Sequence, residues 1–338
     1  MRLAELPTPA LIIDAAVLDR NLAEMAAALP GPRLRPHVKA HKCTALAKRQ
    51  AAAGHHSFTC ATIRECEGMA AAGLGADILL ANEVLDARRL GALVEQGARV
   101  TVAVDSPQTI EAAVSGGVPE VVIDVNVGLP RCGIDPAQAG RLADAARAKG
   151  LSVRGVMGYE GHVVGLPDAA ERAEKCRASM ELLLAAHADV GGDLVSAGGT
   201  GTYAINTWAG EIQAGSYALM DTAYGRLHLP FGQALTVLAT VISTSAQWSV
   251  ANAGLKTLGM DHGNPSIDDA SVWYCSDEHT VFASTVFAST EFAPPRRVGD
   301  QVRLIPAHID PTMAYHERAY LYAGDEVTDV WPIDLRGW

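Results

Sequence analysis

Between residue 15 and about residue 220 the chain alternates short apolar runs, rich in β-branched residues, with Ala-rich amphipathic stretches. No other feature narrows the fold as much. The runs LRPHVKA (34–40), SFTCA (57–61), DILLAN (77–82), RVTVAVD (99–105), EVVIDVNV (120–127), SVRGVMGY (152–159), DLVSAGG (193–199) and EIQAGSY (211–217) read as eight strands. Segments such as TALAKRQAAAG and PAQAGRLADAARAKG lie between them and end in Gly, as the position after a helix often does. Strands apolar on both faces, each followed by a helix, predict a parallel (β/α)8 TIM-type barrel over 15–235. A doubly wound open sheet would show the same alternation; the count of eight favours the barrel.

Beyond residue 235 the pattern becomes strand-like runs separated by turns, as in TVLATVISTS, SVWYCSDEHTVFAST (271–285), DQVRLIP and RAYLYAGDEVTDVWPI, with no convincing amphipathic helix. This predicts a second, all-β domain over 236–338. Hydrophobic residues make up 49% of the 338, enough for a full core, so disorder is excluded. The net charge of −11 leaves no basic stripe for phosphate backbones, so a nucleic-acid partner is not expected. The six cysteines show no CxxC spacing and read as reduced thiols. The N-terminus lacks the basic start and apolar run of a signal peptide, and no stretch reaches the about 20 apolar residues of a membrane span. A cytoplasmic protein is expected.

Of the six lysines, Lys48, Lys149 and Lys175 fall on expected solvent faces of helices, and Lys256 lies in the β region. Lys39 and Lys42 remain, and Lys39 ends the first strand in RPHVKAHK, at the C-terminal rim where barrel active sites are built. A desolvated amine there suits a Schiff base with a carbonyl cofactor, although an ion-paired rim lysine would look the same. The rim also receives Arg131 after strand five, Tyr159 and His162 after strand six, the glycines of SAGGTGTY after strand seven, and Gln213 to Tyr217 after strand eight. Glycines let backbone approach an anion, and loops seven and eight are where barrels hold phosphate. A lysine opposite a phosphate loop implies a phosphorylated aldehyde, and pyridoxal phosphate satisfies both halves. Arg131 could instead salt-bridge Asp135, and Tyr159 could be rim packing.

The motifs PTPALIID, RPHVKAHK, GLPRCGI, GYEGH, SAGGTGTY, EIQAGSYALMD, ANAGLKTLGMDHGNP and IPAHIDPT together resemble the alanine racemase-like, fold-type III pyridoxal-phosphate enzymes. Within these the likeness is to the D-threonine aldolase and D-serine dehydratase group. It implies Lys39 as the cofactor lysine, Arg131 donating to the cofactor's phenolic oxygen, and Gly199, Thr200, Gly215, Ser216 and Tyr217 around its phosphate. It also implies that residues 1–14 join the C-terminal β domain and that the enzyme is a homodimer. Gln213 stands where racemases place an arginine against the pyridine nitrogen, which makes the ring a better electron sink and argues against racemisation.

His308 and Asp310 form an HxD pair, whose alternate residues on a strand would share one cation. By the same resemblance the pair binds a divalent metal beside the cofactor, where dehydratases have His and Cys and bind zinc. A carboxylate suits Mn²⁺ or Mg²⁺ better, with Zn²⁺ also compatible, and this favours a D-3-hydroxy amino acid aldolase. His162 is the candidate general base. The alternatives are a D-serine or D-threo-3-hydroxyaspartate dehydratase and a non-catalytic pyridoxal-phosphate carrier, the latter disfavoured by the second domain with its metal pair.

Overall fold

The computed structural model describes residues 1–284 and 296–338, so the last residue of the expected 271–285 run, Thr285, lies outside the described residues. The chain forms β1 (Ala10–Asp14), then β2 (Phe58–Cys60), β3 (Ile78–Leu80), β4 (Val100–Val104), β5 (Glu120–Asp124), β6 (Ser152–Gly158), β7 (Leu194–Ala197) and β8 (Glu211–Ile212). It continues with β9 (Leu235–Thr244), β10 (Ser249–Ala251), β11 (Ala270–Cys275), β12 (Thr280–Ser284), β13 (Gln301–Leu304), β14 (Arg318–Ala323) and β15 (Glu326–Pro332). These fall into two compact units, Met25–Lys39 with Thr44–Gly215 and Leu335–Trp338, and Met1–Glu24 with Ala40–Cys43 and Ser216–Asp334.

In the first unit β2 to β8 pair in order as a parallel sheet. The eighth expected strand, 34–40, is not a regular strand. Its backbone nevertheless closes the ring, because Leu34 bridges Ile212 at one edge and His37 bridges Thr59 at the other. Arg35 N and His37 N donate to Ile212 O and Ala214 O, at 3.0 Å each, while the carbonyl of Pro36 accepts from Thr59 N at 2.9 Å. Pro36 faces β2 without an N–H to give, so the ladder on that side is half-made. Val38–Ala40 then tightens into a 3-10 turn that carries Lys39.

Alternation along the strands stacks the inward-facing residues in layers. Leu79, Ala103, Val122, Met157 and Leu194 form one apolar belt. Two residues earlier, the same face carries Asp77, Thr101 and Glu120. With Arg35, Arg154 and Glu211 they form an ionic cluster at the amino-terminal end of the strands that the sequence reading missed. Arg35, 1% exposed, donates Nε to Glu211 at 2.6 Å and Nη2 to Asp77 at 2.8 Å. Arg154 Nη1 reaches the other Asp77 oxygen and Thr101 Oγ1, each at 2.8 Å. Burial pushes the Asp77 carboxyl up, but Arg154 and Arg35 outweigh it and hold it well below the usual carboxylate range.

The second unit is a sheet in the order β11-β12-β10-β9-β1-β14-β15, with β13 also pairing with β9. β1 sits between β9, antiparallel, and β14, parallel, and its Leu11, Ile12 and Ile13 are fully buried. Among the described residues, one element departs from the all-strand expectation: the helix Ile309–Tyr315. His308 is its N-cap and Asp310 lies in its first turn, so the HxD pair is not on a strand. Pro311 explains the difference, since proline in a first turn sacrifices no helical hydrogen bond and its fixed φ suits a helix start.

Candidate active site

The register of the barrel brings several loops to one rim. Asp124 lies beside Met157, Gly158 beside Ala197, and Ala197 beside Ile212, so the segments after β5, β6, β7 and β8 emerge together. Half-buried Lys39 follows the closing segment to the same rim. The Arg131 guanidinium stands 5.3 Å from the centroid of the Tyr159 ring, a cation–π distance. A Cβ on Gly199 would lie 3.7 Å from that ring. Arg131, Tyr159 and Gly199 are therefore contiguous. Gln213 instead donates its amide to Ser196 Oγ at 2.8 Å. His162 is exposed, its ring 3.0 Å from where a Gly128 side chain would begin.

The glycine loop is built to a tight tolerance. Gly198 has φ +81°, and a Cβ on Gly201 would fall inside the carbonyl oxygen of Val164. Thr202 N donates to Gly199 O at 3.1 Å, and Gly199 N donates to Thr202 Oγ1 at 3.2 Å. Beneath the loop lies fully buried Glu160, which sequence reasoning had passed over inside GYEGH. Its carboxylate accepts from Gly198 N at 3.1 Å, Thr202 Oγ1 at 2.9 Å and Asn206 Nδ2 at 3.3 Å. Thr200 is 1% exposed within this loop. Gly215 ends the barrel unit. Ser216 and Tyr217, next in the chain, form a 3-10 turn in the other unit, where Tyr217 packs on Phe231 at 5.7 Å.

A shallow, open depression with room for about one water is lined by Asp124, Asn126, Leu129, Arg131, Cys132 and Tyr159 among others. Burial, reinforced by the charge on Glu83, raises the Asp124 carboxyl above its ordinary range, while Arg131 pulls the other way. Burial and Glu83 also push the Cys132 thiol up to about 11, and burial with Glu160 pushes Cys176 to about 12. Both are thiols at neutral pH, which removes them as nucleophiles. A primary amine, a guanidinium and a side-chain-free loop on one rim are the donor set a phosphorylated pyridoxal needs, so these residues fit that cofactor.

In the second unit, His308 Nε2 lies 3.6 Å from Asp310 Oδ2. Two ligands each about 2.1 Å from one cation stand roughly 3–3.5 Å apart, so the pair fits a divalent ion with further positions left open. The pair is anchored by buried Asp221, which accepts from Ile309 N at 3.1 Å, and by Thr312, which donates to His308 O at 2.7 Å. Sequence reasoning assigned no role to Asp261 or His262, although both lie in the MDHGNP stretch it singled out. Asp261 Oδ2 is 2.7 Å from His308 Nδ1, and the His262 ring stacks on His308 with centroids 4.1 Å apart. Burial opposes a charge on His308, but Asp310 and Asp261 outweigh it and lift its pKa to about 9.

Residues 13–222 match the family described as alanine racemase, N-terminal domain, and residues 234–322 match the putative serine dehydratase domain. The chain is 35% identical to the D-threonine aldolase of an Arthrobacter species over 99% of its own length and 94% of that protein's. The chain belongs to the alanine racemase-like D-threonine aldolase and D-serine dehydratase family. It is an enzyme of the pyridoxal-phosphate lyase class. Other relatives are similar over nearly the whole chain. The 3-hydroxy-D-aspartate aldolase of Paracoccus denitrificans is 33% identical over 99% of this chain and 93% of that protein. The crystal structure of D-threonine aldolase from Filomicrobium marinum superposes with a TM-score of 0.91 at 33% identity, covering 99% of this chain and 97% of that one. Among the described residues no helix is long and apolar enough to cross a membrane.

For this family member, Gly201→Ala is expected to displace the loop from Val164, because overpacking costs about 1–3 kcal/mol and the clash is with the Val164 backbone. Cofactor affinity, read by absorbance titration of the apoprotein, should fall by about tenfold or more. Unchanged affinity would remove the loop from the phosphate site.

Proposed function

We propose that the enzyme is a pyridoxal-phosphate- and divalent-metal-dependent D-3-hydroxy amino acid aldolase that cleaves its substrate to glycine and an aldehyde. The observation that carries this reading is the carboxylate of Asp310 facing His308 Nε2 at 3.6 Å. An imidazole and a carboxylate form a hard, incomplete ligand set for a labile cation, Mn²⁺ or Mg²⁺ before Zn²⁺. Likeness to aldolases at 33–35% identity points the same way.

In this reading the Lys39 amine would hold the cofactor, and the same amine would be the group that gives way to the substrate amine. Arg131, seated over Tyr159, would donate to the cofactor's phenolic oxygen. The backbone of Gly199 and Thr200, braced by Glu160, would hold the phosphate, with Gly215, Ser216 and Tyr217 also assigned to it, and Gln213 would be the neutral partner of the pyridine nitrogen. When bound, the cofactor supplies an electron sink for the carbon–carbon bond electrons, and a cation on His308 and Asp310 supplies a Lewis acid for the β-hydroxyl. His162 takes the β-hydroxyl proton on an imidazole nitrogen as the Cα–Cβ bond breaks. The exposed rim position of His162 leaves it free to exchange that proton with solvent.

A second reading, a D-threo-3-hydroxyaspartate dehydratase, is supported by the match of residues 234–322 to the putative serine dehydratase domain and by 29% identity to an enzyme of that name. The Delftia enzyme of that name superposes with a TM-score of 0.84 at 26% identity. Chelation tests the ligand pair directly. Removal of metal is expected to abolish turnover while leaving the fold and the cofactor absorbance intact, and Mn²⁺ should restore activity. Full turnover in a verified metal-free preparation would contradict the reading.

A further inference from the structure

The His308 ring has two nitrogens in different surroundings, and a ligand histidine presents a lone pair at one only when the other holds the proton. Nε2 looks toward Asp310 at 3.6 Å, and Nδ1 is 2.7 Å from Asp261 Oδ2. The shorter separation is that of a charge-assisted hydrogen bond and falls below the roughly 3–3.5 Å expected between two ligands of a single ion. We infer that Asp261 is the positioning residue of the cation site: its carboxylate accepts the Nδ1 proton of His308 and so fixes the Nε2 lone pair toward Asp310. This rests on the proposed cation at His308 and Asp310.

The local fold delivers Asp261 to this place. Gly259 forms an antiparallel bridge with His308 and donates its N–H to Thr312 Oγ1 at 2.9 Å. A Cβ at Gly259 would lie 2.8 Å from the His308 carbonyl oxygen and would also meet Pro311, so glycine is what lets the 259–262 segment lie against the helix start. Two residues on, Asp261 reaches Nδ1. The next residue, His262, lays its ring on His308 with an interplanar angle of 6°, which restrains rotation of the imidazole. The ligand atoms of Asp261, His262 and His308 also lie within 4.8 Å of one another, so direct ligation by Asp261 is the competing arrangement.

Mn²⁺ affinity of the pyridoxal-phosphate holoenzyme, read from the free-ion electron paramagnetic resonance signal, separates these cases. Asp310→Ala should reduce affinity by about 100-fold or more, and Asp261→Ala by about 10–100-fold, as loss of an outer-shell partner does. Asp261→Asn keeps an acceptor oxygen and should recover most of the loss. With diamagnetic Mg²⁺ bound, long-range ¹H–¹⁵N correlation should show the His308 proton on Nδ1. The inference is overturned if Asp310→Ala weakens binding while Asp261→Ala does not, if Asn behaves like Ala, or if the proton is on Nε2. Failure of the wild type to bind Mn²⁺, or unchanged binding in both His308→Ala and Asp310→Ala, overturns the cation reading and this inference with it.

Discussion

Replacing Lys39 by alanine is expected to give a folded protein whose turnover is lower by about 10³-fold or more, because in the proposed reading the side chain is both the cofactor anchor and the amine exchanged with substrate. The residue ends the closing segment of the barrel on a 3-10 turn, half-buried, with the glycine loop after β7 on the same rim. The measurement has two parts. Borohydride reduction of the wild type followed by peptide mapping should place the pyridoxyl group on Lys39. The variant should bind the cofactor reversibly without that label. A label on Lys42 would move the anchor to a residue whose backbone is left-handed, with φ +50°, and would contradict the assignment.

The second large effect concerns stability. Arg35→Leu should destabilise the protein by about 3–5 kcal/mol, the cost of leaving a buried carboxylate without its partner. Glu211, 5% exposed, is the group stranded, since Asp77 retains Arg154 at 2.8 Å and Ser57 at 3.0 Å. The double variant Arg35→Leu with Glu211→Leu should recover much of the loss, because an apolar pair of similar volume replaces a buried ion pair at little net cost. Denaturant unfolding checks both, and a double variant less stable than the single one would contradict the ion-pair account. The cluster also sets an acid limit. A carboxyl whose folded pKa is depressed stabilises the fold above its unfolded pKa of about 3.9, and that stabilisation is lost as pH falls through the folded value. Wild type should therefore lose stability steeply below about pH 4, and Asp77→Asn should lose less over the same window.

The barrel was legible because its strands are buried on both faces and its helices end in glycine, signals that are local in sequence. The ionic cluster was not. Arg35, Asp77, Arg154 and Glu211 each stand singly at the start of an apolar run, and only ring closure makes them neighbours. The closing segment was read as a strand because its residues have strand character, yet Pro36 denies β2 one hydrogen bond. Lys39, Arg131, Tyr159 and the glycine loop are identifiable by residue type at strand ends, whereas Glu160 looks like one more loop carboxylate in the sequence, and only the fold shows the donors that surround it. The HxD spacing was noticed but placed on a strand; the His-x-Asp-Pro order is equally the start of a helix, and proline was the overlooked sign. Asp261 lies 47 residues from His308, a separation that no local pattern bridges.

Product analysis with D-threonine tests the central claim most directly. The account predicts glycine and acetaldehyde in equal amounts, little ammonia, and no reaction with L-threonine. Dominant 2-oxobutanoate and ammonia from D-threonine, or D-serine turned over preferentially to pyruvate, would contradict it and establish the dehydratase reading in its place.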